Sequence, residues 1–308
     1  MADLAVVIVS WNVRALLLQA LRSLYDDLAI SGLTADVLVV DSASTDGTVA
    51  AVEAAFPQAR LIASSENLGF VRGNNLALRE IGFGGAATAD LPRAVYLLNP
   101  DTITRPGATM ALFKAVTAEG GPGLAGARLF YEDGSFQHGA FAFPGLRQLW
   151  AEFFFTPGRL IEGRFNGRYP RALYDAGQPF PVDFVLGATM MLRREVVQQT
   201  GLLDEGFFMY CEEIDWAWRI HEAGWEVQCI PAAQVVHLSG QSTGQARPET
   251  IVYLWTSRQR LFRKHWPAWK LWLGRRLIVI GMRRRQRAEA DPDVRRAYET
   301  VIALAEAS

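Results

Sequence analysis

Short apolar runs rich in β-branched residues, at 4–9, 37–40, 59–63 and 94–98, alternate with amphipathic stretches near 14–29, 46–55, 71–81 and 106–118. Strand-like runs separated by helical periodicity predict a parallel sheet with helices on both faces. In such sheets ligands bind beyond the carboxyl ends of the strands, so the residues after each run are where chemistry is expected. All four sets are polar. Ser10-Trp11-Asn12 follows the first run and Asp41-Ser42-Ala43-Ser44-Thr45-Asp46-Gly47 the second. Ser64-Ser65-Glu66-Asn67-Leu68-Gly69-Phe70 follows the third and Asn99-Pro100-Asp101 the fourth.

The remaining chain is less regular. From about 120 to 185 glycine, proline and aromatics predict long loops, with one hairpin turn at Glu132-Asp133-Gly134-Ser135. Helices are expected at 193–200, ending at Gly201, and near 211–223, closed by Gly224; a strand at 225–230 should end at Pro231. Cys211 and Cys229 are too few for a disulfide framework or a multi-cysteine zinc site, so both read as small buried hydrophobes in a reducing, cytoplasmic setting. The run Leu4–Val9, preceded by Asp3, has the form of a buried strand and lacks the basic leader of a signal peptide. Arg275 and Arg276 interrupt the best candidate span, 268–282. A formal net charge of −1 argues against a nucleic-acid-binding surface over the whole molecule. It hides one asymmetry: Ile251 to Arg287 carries eleven lysines and arginines, no acid, and Trp255, Trp266, Trp269 and Trp272. That pattern suits an anionic membrane surface, or a helical cap whose basic face meets water.

Four features could carry chemistry. Asp41 could accept a hydrogen bond from a nucleobase, or merely cap a βα turn, although Asp46 before Gly47-Thr48 is the better cap. Asp101 could hold a hard divalent cation that bridges a diphosphate, or cap a helix. Glu212-Glu213-Ile214-Asp215-Trp216 opens the helix at 211–223. Asp215 can pair with Arg219 four residues on, whereas two crowded acids beside Phe207, Phe208, Tyr210 and Trp216 could have one pKa raised to that of a general base. His237 follows the strand-like Gln234-Val235-Val236 and reads as structural unless other site groups lie near it.

Taken in order, Val7-Ile8-Val9-Ser10-Trp11-Asn12, Val39 to Thr48, Glu66 to Asn75, Leu98-Asn99-Pro100-Asp101, Leu186-Gly187-Ala188 and Glu212 to Trp216 resemble the motifs of family 2 glycosyltransferases, in particular a bacterial rhamnosyltransferase-like branch. The resemblance implies an α/β chain of the GT-A type, a mostly parallel nucleotide-binding sheet flanked by helices. Residues 1–245 would form it, with 1–118 the nucleotide-sugar half and 119–245 the acceptor and catalytic half. Residues 246–308 would be a helical, basic, tryptophan-rich appendage. Carried over motif by motif, Asp41 would hold the base, and Ser10, Asn12, Ser44, Asn67, Gly69, Asn74, Asn99 and Asp101 would line the nucleotide-sugar pocket. Asp101 matches the metal-binding acid of the family's Asp-x-Asp motif, with Asn99 in place of its first acid, and His237 matches a histidine that completes the metal site in related enzymes. Glu213 would be the base, with Glu212 and Asp215 as alternatives. Gly187 and Ala188 would admit the acceptor and Trp216 would stack on a sugar ring.

The implied activity is inverting, Mg²⁺- or Mn²⁺-dependent transfer of a sugar to a hydroxyl of a glycan or lipid-linked acceptor in cell-surface polysaccharide synthesis. The donor would be dTDP-rhamnose or a UDP-sugar, and the setting the inner face of the cell membrane, held peripherally through 251–287. Nucleotidyl transfer is disfavoured because no Gly-rich basic loop follows the first strand. A non-catalytic glycan- or lipid-binding module on the same fold is the other alternative.

Overall fold

The structure, a computed structural model, describes residues 2–85, 91–238 and 247–307. The expected boundary at 245/246 lies outside the described residues. The first half follows the alternation: β1 (Leu4–Ser10), α1 (Arg14–Ser31), β2 (Ala35–Ser42), α2 (Thr48–Ala55), β3 (Arg60–Ser64), α3 (Gly69–Ile81), β4 (Ala94–Leu98), β5 (Thr102–Thr104) and α4 (Ala108–Thr117). Then come β6 (Leu124–Phe130), β7 (Phe136–Gln137), β8 (Ala140–Phe141), α5 (Leu146–Phe153), α6 (Gly158–Ile161), α7 (Arg171–Asp175), β9 (Phe180–Val182), β10 (Phe184–Val185), β11 (Thr189–Arg193) and α8 (Arg194–Thr200). The chain closes with α9 (Glu212–Glu222), β12 (Val227–His237), α10 (Arg247–His265), α11 (Ala268–Ala288) and α12 (Pro292–Glu306).

The main sheet runs β3-β2-β1-β4-β11-β6-β12-β5. β1 is parallel to β2 and β4, β2 to β3, and β6 to β12. β11 enters antiparallel between β4 and β6, and β5 lies antiparallel on β12. The antiparallel β11 matters for function, because its first residue, Thr189, pairs with Leu98 and so brings Gly187-Ala188 to the edge where β1, β2 and β4 end. Leu4 to Ile8 are fully buried, and the sheet has a hydrophobic layer on each side, as a doubly covered sheet requires. Each buried Leu or Ile adds roughly 1.5–3 kcal/mol, so the strands at the site rest on the strongest part of the fold.

Three expectations need correction. Pro231 does not end the strand: β12 continues to His237, and its register against β6 slips between Ile230 and Gln234. A proline lacks the N–H that a ladder needs, and a bulge is where that lack is tolerated. The segment 120–185 contains the β6–β7 hairpin around Glu132–Ser135, but also α5 and the small β8–β10 sheet. The basic segment 251–287 is two unlike helices. Trp255 in α10 stacks on Phe153, and Trp266, just past the end of α10, stacks on Phe262, all four rings buried, which is the packing of a cap and not of an interface with lipid. Trp269 and Trp272 on α11 are 66% and 60% exposed. Among the described residues no helix is long and apolar enough to cross a membrane.

Candidate active site

The first strand ends build a closed polar network. Register places Ser10 beside Asp41. Asp41 Oδ2 accepts from the Ser44 amide at 2.9 Å, Ser44 Oγ accepts from the Asn12 amide at 2.9 Å, and Asn12 Oδ1 accepts from the Thr45 amide at 2.8 Å. Two loops are thereby locked together, while Ser10 Oγ, Ser42 Oγ and Asp41 Oδ1 are buried with no partner. Buried polar atoms without partners are costly, and a cluster of them at a sheet edge is the mark of a ligand position. Gly47, and not Asp46, stands at the N-cap of α2; Asp46, one residue earlier, accepts from the Thr48 amide and hydroxyl and from the Arg14 amide.

The start of α3 closes another side. Asn67 Oδ1 accepts from the Gly69 amide at 2.9 Å. Gly69 has φ +66°, and a Cβ there would fall 2.9 Å from Phe208 Cε2 and 3.0 Å from the Phe208 carbonyl, so only glycine lets the loop before α9 sit this close. Asn74 is buried and donates to the Phe70 carbonyl at 2.8 Å within the helix.

β4 and β12 bring two candidate metal ligands together. Asp101 Oδ1 lies 3.5 Å from His237 Nε2, and both residues are buried. His237 Nδ1 is 3.2 Å from Gln137 Oε1 on the hairpin strand β7. In the tautomer that donates Nδ1–H to that carbonyl, Nε2 presents its lone pair toward the carboxylate. The 3.5 Å separation is one that two ligands at roughly 2.1 Å from one small divalent ion could span. Among the described residues no third His, Cys, Asp or Glu joins the pair. The Asn99 side-chain carbonyl is buried without a partner, and the Asn99 amide donates to the Ala188 carbonyl at 3.0 Å, tying this corner to β11.

The three acids of α9 separate cleanly. Glu212 is buried and Glu213 partly exposed; each has an Oε2 that is buried without a partner. Burial pushes Glu213 up to about 7, outweighing the amides of the helix start. Burial and the neighbouring Glu213 push Glu212 well above the usual carboxylate range. A Cβ on Gly187 would sit 3.8 Å from Glu213 Cβ and 3.9 Å from Phe70 Cζ, so the 187 loop, α3 and α9 converge on Glu213. Asp215 points away: it meets Arg219 at 3.0 Å, Lys264 at 2.7 Å and His265 at 2.9 Å. Burial alone would raise it, but the bonds from His265 and Lys264 and the Arg219 charge hold it down to about 2. It is therefore a structural anion and not an alternative base. Trp216 is fully buried and donates to Thr200 Oγ1 at 2.9 Å, so its ring belongs to the core and is not available to stack on an acceptor.

Gln137, on the hairpin strand β7, joins the site with no signal in the sequence that points to it. The four non-glycine residues with positive φ among the described residues are Asn12, Ala43, Tyr210 and Cys211, on the loop after β1, the loop after β2 and the turn into α9. Strain of this kind persists only where surrounding structure enforces it, and here it marks the rim of one site.

Residues 5–201 match the family described as Glycosyl transferase family 2. The N-acetylglucosaminyl-diphospho-decaprenol L-rhamnosyltransferase of Mycobacterium tuberculosis is 31% identical over 216 residues, 68% of either chain. Rhamnosyltransferase WbbL of Escherichia coli is 36% identical over 56 residues, 18% of this chain and 21% of that one. GalNAc-T7, solved with UDP, GalNAc and Mn²⁺, superposes with a TM-score of 0.61 at 13% identity, over 98% of this chain and 54% of that one. The mannosyltransferase PcManGT of Pyrobaculum calidifontis, solved with GDP-Man and Mn²⁺, gives 0.52 at 17% identity, over 99% and 70%. At such identities the likeness is one of fold, a mostly parallel GT-A sheet flanked by helices. The chain belongs to glycosyl transferase family 2 and is a glycosyltransferase.

Proposed function

We propose that this chain transfers rhamnose from dTDP-rhamnose, with inversion, to a hydroxyl of a lipid-linked N-acetylglucosaminyl diphosphate at the cytoplasmic face of the membrane. The observation that carries the reading is the pair of acids opening α9. Glu213 combines a raised pKa, a buried unpartnered oxygen and closeness to Gly187, which suits it to take a proton from an acceptor hydroxyl. Glu212, buried beside it, has its carboxyl pushed well above the usual carboxylate range by burial and by Glu213, so the two acids do not share the same demand for ionisation.

Donor recognition falls to the strand edge. Asp41 Oδ1 is free to accept from a pyrimidine N–H, Ser10 and Ser42 offer hydroxyls, and the Asn12–Ser44–Thr45 lock holds that loop in place before the nucleotide arrives. Asp101 and His237 would hold Mn²⁺ or Mg²⁺, with Asn99 beside them and Gln137 orienting the imidazole. A cation bound there supplies charge neutralisation for the departing diphosphate. The mixed carboxylate and imidazole donor set favours Mn²⁺. The attacking oxygen approaches the anomeric carbon from the face opposite the diphosphate, so no covalent enzyme intermediate forms and one base suffices. The similarity to the mycobacterial rhamnosyltransferase supports the sugar and the acceptor class.

The test is a thermal-shift titration with dTDP-rhamnose and UDP-sugars, with and without Mn²⁺, followed by a transfer assay on polyprenyl-diphospho-N-acetylglucosamine. Stabilisation of roughly 2.7 kcal/mol at a hundred times Kd is expected for dTDP-rhamnose with Mn²⁺. Stabilisation by a UDP-sugar alone overturns rhamnose, and no response to any nucleotide overturns the enzyme in favour of a binding module.

A further inference from the structure

Sugar transfer makes no use of the outward face of α11. Apart from the terminal alanines, its exposed residues fall at 269, 272, 273, 276, 280, 283, 284 and 287, which is one stripe on a 3.6-residue helix. The first half of the stripe presents Trp269, Trp272 and Leu273; Arg276, Arg283, Arg284 and Arg287 follow. The helix contains no acid. The Arg276 guanidinium lies 5.1 Å over the Trp272 ring, a cation–π pair left facing solvent. Between α11 and α12 runs a groove of about 460 Å³ lined by Arg275, Arg276 and Arg283. Its one acid, Glu306, pairs with Arg283 at 2.7 Å.

We infer that this stripe and the arginine groove beside it form a binding surface for anionic phospholipid. The chemistry is complementary on both counts: tryptophan and aliphatic side chains enter the interfacial layer, while arginines with forked donors meet phosphate headgroups. A second copy of this face would bring like charges together, and a nucleic acid would leave Trp269, Leu273 and Ile280 without a counterpart. The inner face of α11 gives the surface a purpose. Gly274 packs on Trp266 and Leu149, and Gly281 lies against the Phe153 ring, so α11 is seated directly on α5. On α5, Gln148, Leu149 and Glu152 line a cavity of about 360 Å³ that reaches Cys211 and Ile214 at the start of α9. Lipid bound to α11 would therefore lie about one helix diameter, roughly 10 Å, from a cavity that reaches the start of α9. This deepens the proposed reading and rests on it for the identity of the acceptor, not for the lipid contact itself.

The experiment is co-sedimentation of the full chain with vesicles of phosphatidylcholine alone and vesicles enriched in phosphatidylglycerol. Binding is expected on the anionic vesicles and should weaken with salt. R276Q/R284Q/R287Q should lower it by about fivefold per arginine, on the order of a hundredfold together. W269A/W272A should weaken binding to the same vesicles while leaving Tm and nucleotide affinity unchanged, since both rings are exposed. Equal partition of the native chain onto neutral and anionic vesicles, or unchanged partition of the triple variant, overturns the inference. So does a dimer in vesicle-free solution that W269A/W272A dissociates, because the face is then a self-interface. If instead the native chain binds anionic vesicles but no nucleotide, the lipid surface stands and the transferase reading fails.

Discussion

The first turn of α9 carries three acids, and its two edges put them to opposite uses. On one edge Asp215 is fully buried among Arg219, Lys264 and His265. On the other, Glu212 and Glu213 each have a buried oxygen without a partner. The helix start and its dipole are common to all three, so local sequence does not separate them. What separates them is α10, which supplies Lys264 and His265 to one edge only. A buried carboxylate given cations becomes a fastener with a low pKa; one denied them becomes a group that binds a proton near neutrality.

The sharpest way to break this comparison is to exchange the charges. E213Q keeps the side chain's size and removes the base, so kcat should fall by about 10²–10⁴ with nucleotide affinity retained. D215N should leave kcat within a few-fold. If D215N lowers kcat as far as E213Q while Tm holds, the assignment of the two edges is reversed.

Stability should show the opposite order. D215A strands Lys264, His265 and Arg219 around an empty position and should cost about 3–5 kcal/mol, measured by denaturant unfolding. The sign with pH follows from the depressed carboxyl: the Asp215 contribution is present above the ordinary aspartate pKa and is lost as pH falls through about 2. The native chain should therefore lose stability on acidification more steeply than D215N.

The legibility of the chain divides along the same line. The strands and helices of 4–118 are visible as a change of period, and Asp41, Asn12, Ser44 and Asp101 stand out as candidates because a site at a parallel sheet edge lies within a few residues of each strand's end. Glu213 was visible as one of three candidates. Its separation from Asp215 was not, because the deciding partner His265 lies fifty residues away. Trp216 is hidden for a related reason: an aromatic beside candidate acids looks exposed in sequence, while helical geometry turns it into the core onto Thr200. No residue type announces the positive φ of Ala43, Tyr210 or Cys211, and Pro231 hides a strand that continues through a bulge. Likewise α10 and α11 are both basic and tryptophan-bearing, yet Trp255 of α10 is buried while Trp269 and Trp272 of α11 are exposed.

A smaller effect sharpens the metal corner. Among the described residues the Gln137 side chain hydrogen-bonds to His237, so Q137L should lower Mn²⁺ affinity by roughly 10–100-fold through loss of imidazole orientation, with E213Q unaffected in that measurement. Titration calorimetry with Mn²⁺ and a nucleoside diphosphate reads it directly, and unchanged affinity would remove His237 from the ligand set.

The smallest effect is the most specific to the edge that faces the site. Because burial raises Glu213 to about 7, the native state holds a proton that the unfolded chain has already released above the ordinary glutamate pKa. Its stability must then fall as pH rises from about 4.5 to 7, even as kcat/KM rises over the upper part of the same window while the base becomes ionised. E213Q removes the titrating group, so it should flatten that decline and be the more stable protein at pH 8, by on the order of 1 kcal/mol once partial solvent access is allowed for. In a chain of this size that is a rise in Tm of about 2 °C. A variant that is inactive yet more stable than the native chain is the signature of a carboxylate kept buried for chemistry, whereas a destabilised E213Q at pH 8 would show that Glu213, like Asp215, is held by partners and serves the fold.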